Sequence, residues 1–412
     1  MTSSFKLNLP ADKTERMQYI RRMFPQAKGR NLADEWQGGR KQALIRLSEI
    51  DAASYSRNRN FINGAVTRLS PYLRYGCLTL KETTEYVLKR SGKQGGKLIS
   101  ELAYRDFWRQ NWYRYGNAIH SDMEESKVAL GSNDIPAFIH QGITGLPCMD
   151  EAVRALTNEG YVHNHMRMWF AAYLIHWLKV DWRKAADWFE VNLLDGDKAS
   201  NHLSWQWIAS TFSSKPYYFN KENLARFTGE KYCASCKVKC PFDDSYEHLN
   251  DKIFGDSEPR PAKFYPVKMP EKAPLSKHSS ISVYIHDEML SPTNPLNKLA
   301  MPKFFVFDEA LYDDWPLKRI QFIADCLSEM PKVEVWLGDT RQVLAEQGVG
   351  QIVSQNTPNV FIKSLLAPFN PVWQEEEKFT SVELSLKRLA RFSRYWEKVQ
   401  PDILGISTDQ LE

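Results

Sequence analysis

The sequence predicts two domains: a mostly α-helical one over residues 1–253 and, after a linker at 254–280, a small α/β domain over 281–412 with a Rossmann-like parallel sheet and a C-terminal helix. Three observations predict this. Apolar residues recur every three to four positions across most of 1–250, where strand patterns are scarce. The stretch "FGDSEPRPAKFYPVKMPEKAPLSKHSS", 254–280, is rich in Pro, Lys and Ser and has little periodicity. Beyond it, short β-rich runs alternate with amphipathic helical ones, the pattern of a doubly wound sheet.

The elements follow in order. "DEWQGGRKQALIRLSEIDAAS", "TLKETTEYVLKR", "KLISELAYRDFWRQNWYRYG", "CMDEAVRALTNEG", "HNHMRMWFAAYLIHWLKV" and "DWRKAADWFEVNLL" each carry helical spacing. "ISVYIHD", "KFFVFD", "KVEVWLGD" and "GQIVSQN" read as strands, with "DDWPLKRIQFIADCLSEMP" and "TRQVLAEQG" as the helices between them. "TSVELSLKRLARFSRYWEKV" returns to helix at the end.

Composition narrows the class. Residues 1–250 carry 35 Lys+Arg against 27 Asp+Glu, a charge of +8, while 251–412 carry 19 against 23, or −4. A basic first part favours an anionic partner there. The 13 Trp allow stacked bases or a buried flat ring. "MRMWFAAYLIHWLKV", 166–180, contains Arg167 and His176 and falls short of the ~18 apolar residues of a membrane span. No apolar signal segment opens the chain, and six Cys in 412 residues make no disulfide framework. A cytoplasmic protein without a membrane partner is expected.

Four segments gather chemistry. In "NLLDGDKASNHLSWQW", 192–207, Asp197, Asn201 and Trp205 fall at i, i+4 and i+8 of a helix, which stacks a carboxylate, an amide and an oxidisable ring. Taken alone, this stretch reads first as a capped helix with a core Trp. In "YSRNRNFINGAVTRLSPYLRYG", 55–76, the Thr67 and Ser70 hydroxyls precede a helix and can hold phosphate or simply cap it. "ELAYRDFWRQNW", 101–112, puts Glu101, Tyr104 and Arg105 within one turn, and "GYVHNHMRMW" puts Asn164, Arg167 and Met168 on one face.

Together, "TRLSPYL", "GITGLPCMDEAVRAL", "GYVHNHMRM" and "LLDGDKASNHLSWQW" resemble, in order and spacing, the flavin-binding domain of the photolyase/cryptochrome family, over roughly residues 40–250. The resemblance implies a helical FAD-binding domain of photolyase type that holds the cofactor in a bent form. Thr67, Leu69 and Ser70 would hold the pyrophosphate, with Arg105 supplying positive charge. Tyr55 matches a further flavin contact. Asp195 and Asp197 would line the pocket, with Arg167 pairing Asp195, and Asn201 would face flavin N5. Trp205 would be the first electron donor and Trp182 the second. The family's third Trp falls near Ala129–Leu130, and Trp108, Trp112, Trp169, Trp177 and Trp188 remain open as substitutes.

On the substrate side, Glu101, Asn164, Met168 and Trp207 match residues that line the lesion pocket of cyclobutane-dimer photolyases. Enzymes of the (6-4) type place His where this chain has Asn164 and Met168. Tyr104 and Tyr161 replace stacking Trp residues, and His165 stands where a phosphate-binding Arg is usual. Arg59 can still grip phosphate. Weaker stacking and charge favour single-stranded over duplex UV-damaged DNA. The implied activity is light-driven splitting of cyclobutane pyrimidine dimers by an electron from reduced FAD. The alternative is a cryptochrome-like blue-light receptor without repair.

In the α/β half, "VYIHDEMLSPTNPL", 283–296, resembles the first strand and loop of the family's antenna domain, and "RLARFSRYWEKV", 388–399, its connector. The order is then permuted, with the antenna chromophore unspecified; an unrelated α/β module is the other reading. There is no glycine-rich fingerprint for NAD. Finally, "CASCKVKC" offers Cys233, Cys236 and Cys240 to zinc or an iron–sulfur cluster, with Cys148 or His248 as fourth ligand. Reduced structural thiols are the plain alternative.

Overall fold

A computed structural model describes residues 4–255 and 258–405. The chain divides into two compact units, each assembled from three stretches of sequence.

The helical unit comprises Asp51–Val66, Val87–Val267 and Val382–Glu412. Several of its helices begin at a side-chain cap. Helix α1, Ala52–Asn58, starts at Asp51, whose carboxylate accepts the Ser54 N–H. The 20-residue α2, Gly96–Tyr115, buries Leu98, Leu102, Phe107 and Trp112, which face different sides, so it runs through the interior of its unit. Helix α3, Asn164–Ala172, is capped by the His163 side chain and runs into a wider π turn at Tyr173–Trp177. Asp181 caps α4, Trp182–Asn192, and Asp197 caps α5, Lys198–Ala209. Helix α6, Phe392–Leu404, packs against α2. The core gathers Met149, Phe170, Phe189, Trp205, Ile208 and Phe219, and each such side chain contributes about 1.5–3 kcal/mol by leaving water.

The sheet unit comprises Met1–Ile50, Thr67–Tyr86 and Lys268–Ser381. Its strands are β1 (Phe5–Leu7), β2 (Ser280–Tyr284), β3 (Lys303–Phe307), β4 (Glu334–Leu337), β5 (Val349–Gln355) and β6 (Val372–Gln374). They lie in the order β1-β4-β3-β2-β5-β6. All pairings are parallel except β1 with β4, where Phe5 faces Leu337. Every residue of β3 is buried, as a central parallel strand requires. Helix Lys13–Met23 packs on helix Leu317–Ser328, and between them Arg16 donates Nε and Nη2 to Asp325 Oδ1 at 2.9 and 2.7 Å.

The expected boundaries at 253 and 281 differ from these units. Residues 1–50 join the sheet, through the antiparallel β1 and the buried Arg16–Asp325 pair. Residues 382–405 join the helical unit, because α6 buries Tyr395 and Val399. The expected helix over 34–54 begins only at Arg40. Gly39 takes φ +105°, and a Cβ on Gly38 would lie 2.1 Å from the Phe322 carbonyl oxygen, so that turn cannot be helical. Part of the expected linker is pinned to the helical unit: Lys263 N–H bonds Asp122 Oδ2 at 3.0 Å, and Tyr265 N–H bonds Ser121 Oγ at 2.8 Å.

Candidate functional site

The start of α5 organises the helical unit's polar interior. Asp197 Oδ1 accepts the Ser200 N–H at 2.7 Å, while Oδ2 accepts Arg105 Nη2 from α2 at 2.7 Å. One turn on, Asn201 donates Nδ2 to the Ala186 carbonyl of α4 at 2.9 Å, and its Oδ1 accepts the Trp205 Nε1–H at 3.2 Å. The line Asp197–Asn201–Trp205 read from the helical spacing is thus a bonded one at its far end. Trp205 is 4% exposed and meets Phe189 edge-on at 5.6 Å. Before the helix, Asp195 Oδ2 lies 3.6 Å from Arg167 Nη2, and Arg167 Nε also donates to the Val162 carbonyl.

Two atoms test whether these residues fit a flavin. Asp195 Oδ1 and Ser200 Oγ are buried and have no hydrogen-bond partner among the described residues. An unmet buried polar atom costs about 1–3 kcal/mol. A flavin ring N–H and ribityl hydroxyls are the donors and acceptors that such atoms need. The set Arg105, Arg167, Asp195, Asp197, Ser200 and Asn201 therefore fits FAD. Ser200 is the member that sequence reading missed; its only signal is its place three residues after the cap. Tyr55, on α1, has its hydroxyl pushed far up by burial and then by Glu101, with Arg59 and Tyr161 also acting on it. Thr67, Leu69 and Ser70 belong to the sheet unit. There Thr67 Oγ1 accepts the Leu69 N–H at 3.3 Å, and Ser70 opens the short helix Ser70–Arg74.

The residues expected on the substrate side each have a neighbour in the unit. Asn164 Nδ2 lies 3.9 Å from Met168 Sδ. Glu101 pairs with Lys97 at 2.7 Å and with Arg59 at 3.6 Å. Trp207 is 38% exposed and tilts against Tyr217. The residues expected to stack on or grip DNA have partners within the unit. Tyr104 stacks on Phe392 of α6, with centroids 3.4 Å apart and planes 11° apart. Tyr161 lies under the Arg167 guanidinium. His165 is buried, its Nδ1 2.9 Å from the Asn60 carbonyl oxygen and its ring stacked on Trp169. Burial also lowers its pKa, which keeps the ring neutral.

Trp182, 1% exposed, donates its Nε1–H to Asp122 Oδ1 at 2.8 Å. Asp122 in turn receives Arg260 at 3.0 Å and faces Arg183. The four thiols Cys148, Cys233, Cys236 and Cys240 line one recess, beside Tyr232 and Phe242. Burial, then Cys233 and Cys240, pushes the Cys148 thiol up to about 12. His248 instead bonds Asp244 at 3.0 Å. Among the described residues, no helix is long and apolar enough to cross a membrane.

Residues 98–237 match the FAD binding domain of DNA photolyase. A deoxyribodipyrimidine photo-lyase from Streptomyces griseus is 34% identical over 186 residues, 44% of this chain and 38% of that protein. A chloroplastic/mitochondrial cryptochrome DASH from Ostreococcus tauri is 28% identical over 283 residues, 65% of this chain and 49% of that one. A solved bacterial class III photolyase from Agrobacterium tumefaciens is 29% identical at a TM-score of 0.44, covering 48% of this chain and 44% of that one. The chain spans less than half the length of each of these relatives.

Proposed function

From a flavin-binding region of the photolyase/cryptochrome family, we propose that this chain is a light-driven photolyase that splits cyclobutane pyrimidine dimers and favours single-stranded DNA. FAD, when bound and reduced, supplies on blue or near-UV excitation the electron that opens the dimer. The observation that carries the reading is the cluster of paired and unmet polar groups at the start of α5, with Trp205 bonded to Asn201. Arg105 and Arg167 hold Asp197 and Asp195 in place around that region. Trp205 and then Trp182 would pass electrons inward, with Asp122 positioned to take the proton of an oxidised Trp182. Asn164 beside Met168, where the (6-4) chemistry would need His, supports the cyclobutane lesion.

Single-strand preference rests on partners already engaged. With Tyr104 on Phe392 and His165 on Asn60, fewer rings and charges are left to draw a base from a duplex. Extrusion costs a few kcal/mol that a single strand does not require. A cytoplasmic location goes with this reading. The Tyr104–Phe392 stack also favours the second one, a blue-light receptor without repair. The test is illumination of the reduced holoprotein with dimer-containing single- and double-stranded oligonucleotides. Repair greater on single strands is expected; equal yields refute the preference, and no repair on either overturns the repair reading in favour of the receptor.

We also infer that Cys233, Cys236 and Cys240, with Cys148 as the fourth ligand, hold zinc or an iron–sulfur cluster. Four free thiols from two distant stretches line one recess, and thiolates are the soft donors that both take. Elemental analysis distinguishes the two metals; a purified protein with neither zinc nor iron defeats the inference.

A further inference from the structure

A second cluster adjoins Asn201. His202, the next residue on α5, has a side chain only 1% exposed. Its Nδ1 lies 3.0 Å from the Lys198 carbonyl oxygen one turn back, and its Nε2 lies 2.8 Å from Asp187 Oδ1 on α4. His120, closing the turn Gly116–His120, meets the same ring edge-on with centroids 4.4 Å apart. One ligand atom of each residue lies within 4.8 Å of the other two.

Donor and acceptor chemistry makes this contact unusual. A carbonyl oxygen only accepts, so the hydrogen of neutral His202 sits on Nδ1. Its Nε2 then presents a lone pair to a carboxylate, which also only accepts. Two acceptors at 2.8 Å require a cation, either a proton or a metal ion. Three features favour the metal. His120 brings a second imidazole to the same point. The Nδ1–H held by a backbone carbonyl is the outer contact that orients ligating histidines. Asp187 is 67% exposed, so an ion and its water can reach the cluster from solvent.

We propose that His120, Asp187 and His202 bind a divalent transition ion of the zinc type, with water as the fourth ligand. Tetrahedral zinc places neighbouring ligand atoms roughly 3.3 Å apart, so rotation of the partly exposed His120 and the exposed Asp187 suffices to close the set. The site would join α4 to α5, the helices that carry Trp182 and Trp205. It rests on neither the flavin nor the thiol reading.

The test is cobalt titration of the full-length, chelator-treated protein. Nitrogen and oxygen ligands give visible ligand-field bands without the intense near-ultraviolet thiolate transition, which separates this site from the cysteines. One such cobalt per chain is expected, with affinity at least tenfold weaker in Asp187→Asn and in His120→Gln. Asp187 is exposed, so its variant retains the fold, which circular dichroism checks. If cobalt binds only with the thiolate band, or if both variants bind it like the parent, the contact is a protonated-histidine ion pair and the proposal is overturned.

Discussion

A tryptophan serves as an electron donor only where it can be oxidised and its product accommodated. Trp205 and Trp182 are both buried, and each donates its indole N–H to a side-chain oxygen, of Asn201 and of Asp122. Trp205→Phe is expected to keep FAD bound but slow blue-light bleaching of the flavin at least tenfold, and Trp182→Phe to do the same. Normal bleaching in both would mean that electrons take another route. Asp195→Asn weakens the pairing with Arg167; FAD content after purification is expected to fall severalfold, read from flavin absorbance per chain. A third residue sets a pH dependence. Burial holds His176 at a pKa of about 3, against 6.5 ordinarily. The unfolded chain therefore takes up a proton near pH 6.5 that the native state refuses until near pH 3. Native stability is expected to fall as pH drops through that window, and a urea midpoint unchanged between pH 7.5 and 5 would contradict it. Much of the α5 site was legible, because a cap, an amide and a ring at helical spacing leave a periodic trace. The His120–Asp187–His202 cluster was not. Its members are separated by 67 and 15 positions, and only the packing of α4 and of the turn Gly116–His120 on α5 joins them.

At the scale of elements, α6 is the piece that covers Tyr104 and ties into α2. Tyr395 Oη donates to Asp106 Oδ2 at 2.5 Å, and Arg391 pairs with Glu124. Burial, then the Asp106 carboxylate, pushes the Tyr395 hydroxyl pKa far up, so it stays a donor. Tyr395→Phe removes that donor from a buried carboxylate and is expected to cost about 1–3 kcal/mol, measured by urea unfolding. Phe392→Ala removes the ring that covers Tyr104. If the repair reading holds, its affinity for dimer-containing duplex rises severalfold in an anisotropy titration; unchanged affinity would mean that Tyr104 does not touch DNA. The amphipathic pattern of this helix was plain in the sequence. Its destination was not, since an apolar stripe does not name the surface that it covers. The same holds for β1, a three-residue strand too short to show alternation, which therefore passed for part of the helical domain.

At the scale of the whole molecule, each unit takes segments from both sides of residues 258–267. Within the sheet unit, the Arg16–Asp325 pair and the β1–β4 ladder tie the early segment to the late one. A protease cut in the extended stretch 258–279 is thus expected to give two bands on a denaturing gel but one peak on native size exclusion. Separation of the fragments would show that these ties are too weak to hold. The alternation of strand and helix after residue 280 was readable from composition, whereas the crossing of the chain between units was not, because it is a matter of partners and not of local pattern. That crossing bears on how the protein is made. Strand β1 emerges from the ribosome before its partner β4, which follows some 330 residues later, and at ~5–20 residues per second that is a wait of roughly 15–65 s. Throughout that interval β1 has no β4 to pair with, so the edge of the sheet can close only after residue 337 has been made, and the sheet unit folds late in synthesis.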